Sequence, residues 1–320
     1  MVSSAIKTSF SAFDRFSQSN MQYLCMAFLL VGFFSGESAG RFASMIPYLF
    51  AVMTFNSGLG LHVAELRSLR ERSWVLPLYL TFLHLVMPGI AWAVASLFYE
   101  SDVVMGFVLL FMMPVSPSCI VWMAIFRSNV TLAMTLVFVD TLAAPFIIPY
   151  ALQLFSGTLV ELDAMRMFKG LAMMLLAPSL LALVCNRLSD GAVQRKAGKA
   201  ISLLAKLSIF TILFINGGVT SRFFTGLSWH LVSLAAMTFA FYVFFYAASY
   251  LIGRVLFPAR EDVIAFMVCL AMRSLTTGMV IATGYFTPVA TFIVMLGLFF
   301  QQPLTSVFGK VADRFFQNKG

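Results

Sequence analysis

Two stretches of this sequence, residues 103–113 (VVMGFVLLFMM) and 232–251 (VSLAAMTFAFYVFFYAASYL), are apolar on every side of any helix or strand drawn through them. A surface helix of a water-soluble protein keeps one polar face, and a half-buried strand alternates. Runs this uniform require surroundings that are apolar all round. Ten such segments can be marked, at 21–35, 44–64, 75–99, 103–126, 130–155, 167–186, 200–221, 228–256, 262–285 and 289–308. Apart from the short first one, each reaches the ~20 residues that a helix needs to cross the hydrocarbon of a bilayer. A transmembrane barrel needs alternating strands of about ten residues with a polar lumen face, and these segments do not alternate.

The balance of residue types removes the other possibilities. Apolar residues form 61% of the 320 and charged residues 11%, against roughly 45–50% and ~25% in soluble domains. So few charges cannot coat a protein of this size in water, which excludes a soluble globule, a disordered chain and a disulfide scaffold. Connections are short and no soluble domain is inserted. The expected fold is an all-α polytopic membrane protein of ten transmembrane helices, a single membrane domain over residues 1–320, with the lipid bilayer as its constant partner. Nothing in these features sets an oligomeric state.

Lysine and arginine give the orientation. With the N-terminus inside and ten spans, the inner side collects 15 of them, including Lys7, Arg15, Arg67, Arg70, Arg72, Arg127, Arg195 and Arg260, and the outer side 4, namely Arg41, Arg166, Lys169 and Arg222. This asymmetry is the positive-inside pattern of a multi-pass protein of the cell membrane with both termini cytoplasmic. It also accounts for the net charge of +8 without nucleic acid. Residues 1–20 hold Lys7, Asp14 and Arg15 but no apolar signal core, so no cleaved signal is expected and the first spans direct insertion.

Several chemistries are absent from the pattern. The four cysteines (Cys25, Cys119, Cys185, Cys269) lie in apolar segments at spacings that match no zinc or redox motif, and they read as small buried side chains. His62, His84 and His230 are scattered over three segments, with His84 placed toward the core. No phosphate cradle, nucleophile elbow or HExxH is present, so no enzyme, metal or cofactor is expected.

The chain carries a faint internal repeat. Asp102-Val-Val opens segment four, and Asp262-Val-Ile opens segment nine, 160 residues later. Ten residues after each Asp stands a Met, and each run is then interrupted, by Pro114-Val-Ser116-Pro117-Ser118 and by Arg273-Ser274-Leu-Thr276-Thr277-Gly278. Proline inside a helix removes a backbone hydrogen bond and clashes with the preceding turn. In lipid, each freed carbonyl or amide costs several kcal/mol unless paired. Paired interruptions at matching positions of two halves point to a transporter's midplane binding site, and repeats of five spans, about 21–156 and 164–310, are inverted. The plainer alternative is a simple proline kink. Among charges, Asp140 and Arg273 lie deep in segments five and nine, whereas Lys206 falls in the first two turns of segment seven, within reach of the interface. Ionisable groups at depth mark function by default. The pair is open to two readings, a permanent structural ion pair and a proton-coupled one. Gln301 and Gln302, in the last segment, read as interhelical hydrogen-bonding groups.

The run Met113-Pro-Val-Ser-Pro-Ser-Cys-Ile-Val121, then Phe126-Arg-Ser-Asn-Val-Thr-Leu-Ala133, then Asp140-Thr-Leu-Ala-Ala-Pro145, resembles the fourth and fifth helices of the bile acid:sodium symporter family. Met272-Arg-Ser-Leu-Thr-Thr-Gly-Met-Val-Ile-Ala282 resembles its ninth. Met87-Pro88, the Phe55–Gly60 turn and Gln302-Pro303-Leu304 extend the resemblance over about residues 21–310, as a divergent, bacterial-like member. The resemblance implies two inverted five-helix repeats, with broken helices four and nine crossing in a core of helices 3–5 and 8–10 that rocks against a panel of helices 1, 2, 6 and 7. It implies a secondary transporter of a small organic anion, working by alternating access. An auxin-efflux-type carrier, or a receptor or scaffold that has kept the fold without transport, are the alternatives.

Carried over residue by residue, the family's sodium ligands fall on Cys119, Ile120, Ala133, Val137, Cys269, Arg273 and Leu83, which offer no side-chain oxygen. The resemblance therefore implies Na+ as coupling ion, and the residue content H+, with Arg273 standing for the missing sodium charge. The expected substrate and ion site comprises Pro114, Ser116, Pro117, Ser118, Cys119, Asp140, Cys269, Arg273, Ser274, Thr276 and Thr277.

Overall fold

The computed structural model of the protein describes residues 21–59, 74–157, 163–221 and 229–317. Helices make up nearly all of them: α1 (Met21–Ser35), α2 (Glu37–Leu59), α3 (Val75–Ala95), α4 (Ser101–Met112), α5 (Cys119–Phe126), α6 (Val130–Ser156), α7 (Ala164–Leu188), α8 (Ala192–Thr220), α9 (Trp229–Leu256), α10 (Arg260–Ala271), α11 (Leu275–Tyr285) and α12 (Pro288–Gln317). Among the described residues there is no strand, only one isolated β-bridge. Seven helices, α2, α3, α6, α7, α8, α9 and α12, are long and apolar enough to cross a bilayer. Segments four and nine are each a pair of shorter helices, α4–α5 and α10–α11. The expected positions Lys7, Asp14, Arg15, His62, Arg67, Arg70, Arg72 and Arg222 lie outside the described residues, as does the end of segment two.

Two boundaries differ from the sequence reading for one reason. Helix α8 begins eight residues before the apolar segment, and α12 runs nine residues past it, to Gln317. Both extensions are polar or amphipathic (Ala192–Lys199; Lys310, Asp313, Arg314), so hydropathy does not mark them although the helix continues. Lys206 consequently sits about four turns into α8 rather than in its first two.

Helices α3 and α7 each contain a π-helical turn, Phe82–Val86 and Ala172–Leu176. Each turn stands just before an Ala/Met–Pro step, Met87-Pro88 and Ala177-Pro178. Proline lacks the donor for the carbonyl four residues back and its ring crowds that carbonyl. Widening the preceding turn to the i→i+5 pattern absorbs both effects.

The chain forms two compact units. One holds α1, α2, α8 and the part of α7 from Ala177; the other holds α3–α6, α7 to Leu176, and α9–α12. In the first, α1 and α8 pack backbone against backbone. A Cβ on Gly32 would lie 1.9 Å from the Phe214 carbonyl oxygen, and one on Gly217 would lie 2.2 Å from that of Leu29. Small residues permit this approach, which supplies dispersion contact where lipid offers no hydrophobic drive. The second unit is built around α10, every residue of which from Asp262 to Ala271 is buried. Phe107, Phe111, Phe241 and Phe245 pack edge-to-face and stacked between α4 and α9.

Candidate substrate site at two crossing helix breaks

Helix α4 stops at Met112 and α5 starts at Cys119; α10 stops at Ala271 and α11 starts at Leu275. The first break is as long as the two prolines suggest. The second is shorter than the sequence reading: it covers Met272–Ser274 only, and Thr276, Thr277 and Gly278 are helical. Gly278 does not unwind the chain. It lets α11 approach α12 and the first break, since a Cβ there would meet Val294 at 2.8 Å and Met113 at 2.9 Å.

The two breaks cross in extended conformation as an antiparallel bridge between Val115 and Arg273. Ser116 N–H donates to the Met272 carbonyl at 3.2 Å, and Ser274 N–H to the Pro114 carbonyl at 2.7 Å. Side chains from neighbouring helices take the rest. Asp140 Oδ2, from the middle of α6, accepts the Val115 N–H at 2.6 Å. Gln301, from the middle of α12, makes a reciprocal pair with Arg273: its Oε1 accepts the Arg273 N–H at 2.8 Å, and its Nε2 donates to the Arg273 carbonyl at 3.1 Å. Each break is thus held by one side chain of the long helix that follows it. The N–H groups of Val115, Ser116, Arg273 and Ser274, which interruption would otherwise strand in an apolar interior, are thereby paired.

Asp140 is fully buried, and its Oδ1 lies 2.7 Å from Nε2 of His84. His84 belongs to the π-helical turn of α3, and its Nδ1 faces the Met112 carbonyl at 3.0 Å. The sequence placed His84 in the core without giving it a partner; Met87-Pro88, which forces the π turn, was the available signal. Asp140 and Arg273 form no direct pair. Asp262 is also buried, in the first turn of α10, where Asn129 Nδ2 donates to it at 2.7 Å.

Arg273 is 0% exposed. Its Nη2 points at the weak acceptor Sδ of Met87, 2.7 Å away, while Nε and Nη1 have no hydrogen-bond partner among the described residues. Asp140, Tyr79, Tyr242 and Tyr246 are near enough to act on it electrostatically. The tyrosines are engaged elsewhere: Tyr79 donates to the Cys269 carbonyl at 3.1 Å, Tyr242 to Gln301 Oε1 at 3.2 Å, and Tyr246 bonds Thr305 and the Gln301 carbonyl. Cys119 and Cys269 are buried free thiols whose sulfurs are 3.7 Å apart, one from each broken segment.

The remaining expected residues lie around the same crossing. Pro114 and Thr277 are buried, Ser116, Ser274 and Thr276 half-buried, and Pro117 and Ser118 exposed. Their hydroxyls pair within each segment, Ser116 with Ser118 at 2.8 Å and Ser274 with Thr277 at 2.7 Å.

A bundle of apolar helices in which two interrupted helices cross, with polar groups gathered at the interruptions, is the architecture of a broken-helix membrane transporter. The chain belongs to the SBF-like CPA transporter family, which matches residues 20–309; this bears out the resemblance to bile acid:sodium symporters. It is 28% identical to the uncharacterized protein YbaS of Bacillus subtilis (strain 168), over 92% of this chain and 97% of that protein. It is 20% identical to the uncharacterized sodium-dependent transporter YocS of the same organism, over 83% of this chain and 82% of that protein.

Proposed function

We propose that the protein is a secondary transporter of a small organic anion, working by alternating access at the crossing of its two breaks, in the cell membrane with both termini cytoplasmic. The observation that carries the anion is Arg273. A guanidinium cannot shed its charge inside a protein and presents five donors in a planar fork. Here it is fully buried with two donor atoms unpaired. A carboxylate or sulfonate, accepting two parallel hydrogen bonds, suits that fork.

Support for the transporter reading comes from the family, from the crossing, and from the two halves of the larger unit. The order α4–α5–α6 repeats as α10–α11–α12, and Asp140 and Gln301 perform equivalent tasks in each. We read these as inverted repeats. The smaller unit holds α1, α2, α8 and the second half of α7, whereas the panel that the resemblance implies takes the whole of segment six, whose first half lies in the larger unit.

The seven positions onto which the family's sodium ligands fall do not fit that ion. Leu83, Cys119, Ile120, Ala133, Val137, Cys269 and Arg273 present no side-chain oxygen, and six of the seven are buried. An alkali cation is a hard ion that needs oxygen ligands, whereas thiols suit soft metals, and a fixed guanidinium repels any cation beside it. The sodium dependence in the name of YocS is therefore not carried over to this chain.

The test is a thermal-shift screen of the purified chain against small carboxylates and sulfonates, each in sodium and in choline buffer. At least one anion is expected to stabilise the protein to the same extent in both. Stabilisation that requires sodium would contradict the reading. For the orientation, reporter fusions at Gly320 and in the 157–166 loop are expected on opposite sides of the membrane; signals from one side only would overturn it.

A further inference from the structure

The anion reading leaves one buried pair at the crossing without a role. We infer that His84 and Asp140 form a one-proton binding site, and that its occupancy holds the first break in the arrangement described and couples proton binding to anion binding at Arg273. This rests on the transporter reading above.

Hydrogen-bond chemistry sets the proton count. The Met112 carbonyl can only accept, so the His84 Nδ1 facing it at 3.0 Å carries a hydrogen. A neutral imidazole protonated there has a bare lone pair at Nε2. That nitrogen lies 2.7 Å from Asp140 Oδ1, and an ionised carboxylate is also acceptor-only. Two lone pairs do not hold this distance inside an apolar protein, so one further proton lies between them. Written as imidazolium and carboxylate, or as imidazole and carboxylic acid, the pair has the same proton count and no net charge.

The pair also holds the break on both sides. His84 binds the last carbonyl of α4, and Asp140 Oδ2 binds the Val115 N–H. Removal of the shared proton sets Nε2 against Oδ1 and forces the two side chains apart. They cannot then keep both backbone groups, and the geometry of the break changes with proton occupancy.

The ionisable groups in electrostatic reach of Asp140 are Tyr79 of α3, Cys269 of α10 and, from the second break, Arg273, with Cys119 of α5 beside Tyr79 and Cys269. Asp102, Lys169 and Asp262 lie in the first two turns of α4, α7 and α10, away from the middle of α6, and Tyr150 of α6 is exposed. Arg273 is the fixed charge of the set. With the proton bound and no anion, the crossing carries one net positive charge. With a monovalent anion on Arg273 as well, it is neutral. With neither proton nor anion it is again neutral. Burial disfavours net charge, so proton and anion bind and leave together, which is the arithmetic of a symporter.

The experiment is nitrogen-15 NMR of the histidine-labelled full chain in lipid nanodiscs, titrated with pH, together with hydrogen exchange at the Val115 amide. No transported anion is needed. The parent is expected to keep His84 Nδ1 protonated throughout, to release one proton from the pair as the pH rises, and to lose Val115 protection at the same step. In Asp140→Asn the amide nitrogen can donate to His84 Nε2 while its oxygen still accepts from Val115, so both bonds survive without the extra proton. That variant is expected to fold, to show neutral His84 where the parent holds the shared proton, and to keep Val115 protected. Arg273→Met is expected to retain the shared proton at alkaline pH where the parent has released it. Replacing choline by sodium is expected to change none of this. A His84 protonated only at Nε2, a parent indistinguishable from Asp140→Asn, an Arg273→Met titration matching the parent, or displacement of the proton by sodium would each overturn the proposal. A chain that transports no anion yet titrates in this way would fail the transporter reading alone; a flat titration in a chain that does transport would fail the proton site alone.

Discussion

Replacing Arg273 by methionine is expected to make the protein more stable and to abolish its response to anions. The guanidinium is fully buried, and among the described residues two of its nitrogens are unpaired and no carboxylate bonds to it. Exchange of a buried ion pair for apolar side chains of similar volume is often neutral or stabilising, by about 1–4 kcal/mol, and a buried charge without a bonded counter-ion has its desolvation offset still less. The backbone of residue 273 is held by Gln301 whatever its side chain, so the break survives the substitution. Thermal unfolding in detergent, with and without an anion that stabilises the parent, reads both effects. A variant that unfolds earlier than the parent would show that Arg273 is a structural element rather than a ligand-binding one.

Gln301→Leu is expected to do the opposite damage. Its amide pairs with both the N–H and the carbonyl of Arg273 and accepts from Tyr242. Leucine has nearly the same volume but leaves buried backbone groups with fewer partners. Each unsatisfied group costs about 1–3 kcal/mol. The Arg273 carbonyl keeps the Leu275 N–H at 3.0 Å, so the N–H carries the larger share. A loss of about 2–4 kcal/mol is expected on that basis, seen as poor yield of monodisperse protein and early unfolding. Gln302→Leu, which removes only an acceptor for Trp122 Nε1 in a partly exposed position, is the comparison, and its effect should be much smaller.

The helices were legible because lipid-facing and buried spans share an uninterrupted apolar run, and Pro114 and Pro117 told where the first run breaks. The second break was placed several residues too long. Threonine and glycine weaken a helix in isolation, but Gly278 is used for close packing against Val294 and Met113, a tertiary fact with no local signature. The same limit explains Asp140. Sequence spacing gave Arg273 as its counter-charge because both were deep and opposite in sign. The π turn before Pro88 instead presents His84 to it, and a histidine counted as neutral does not announce itself as a partner. That Arg273 would be left without an anion was not readable from the chain, since it depends on which side chains the crossing happens to face.

The central claim is that an anion moves through this fold against Arg273 without sodium. Its most direct measurement is uptake of a stabilising anion by proteoliposomes containing the purified chain, in choline and in sodium buffer. The account predicts saturable uptake at equal rates in the two buffers and none with Arg273→Met. Uptake only in sodium, or binding without any uptake in either buffer, would contradict it.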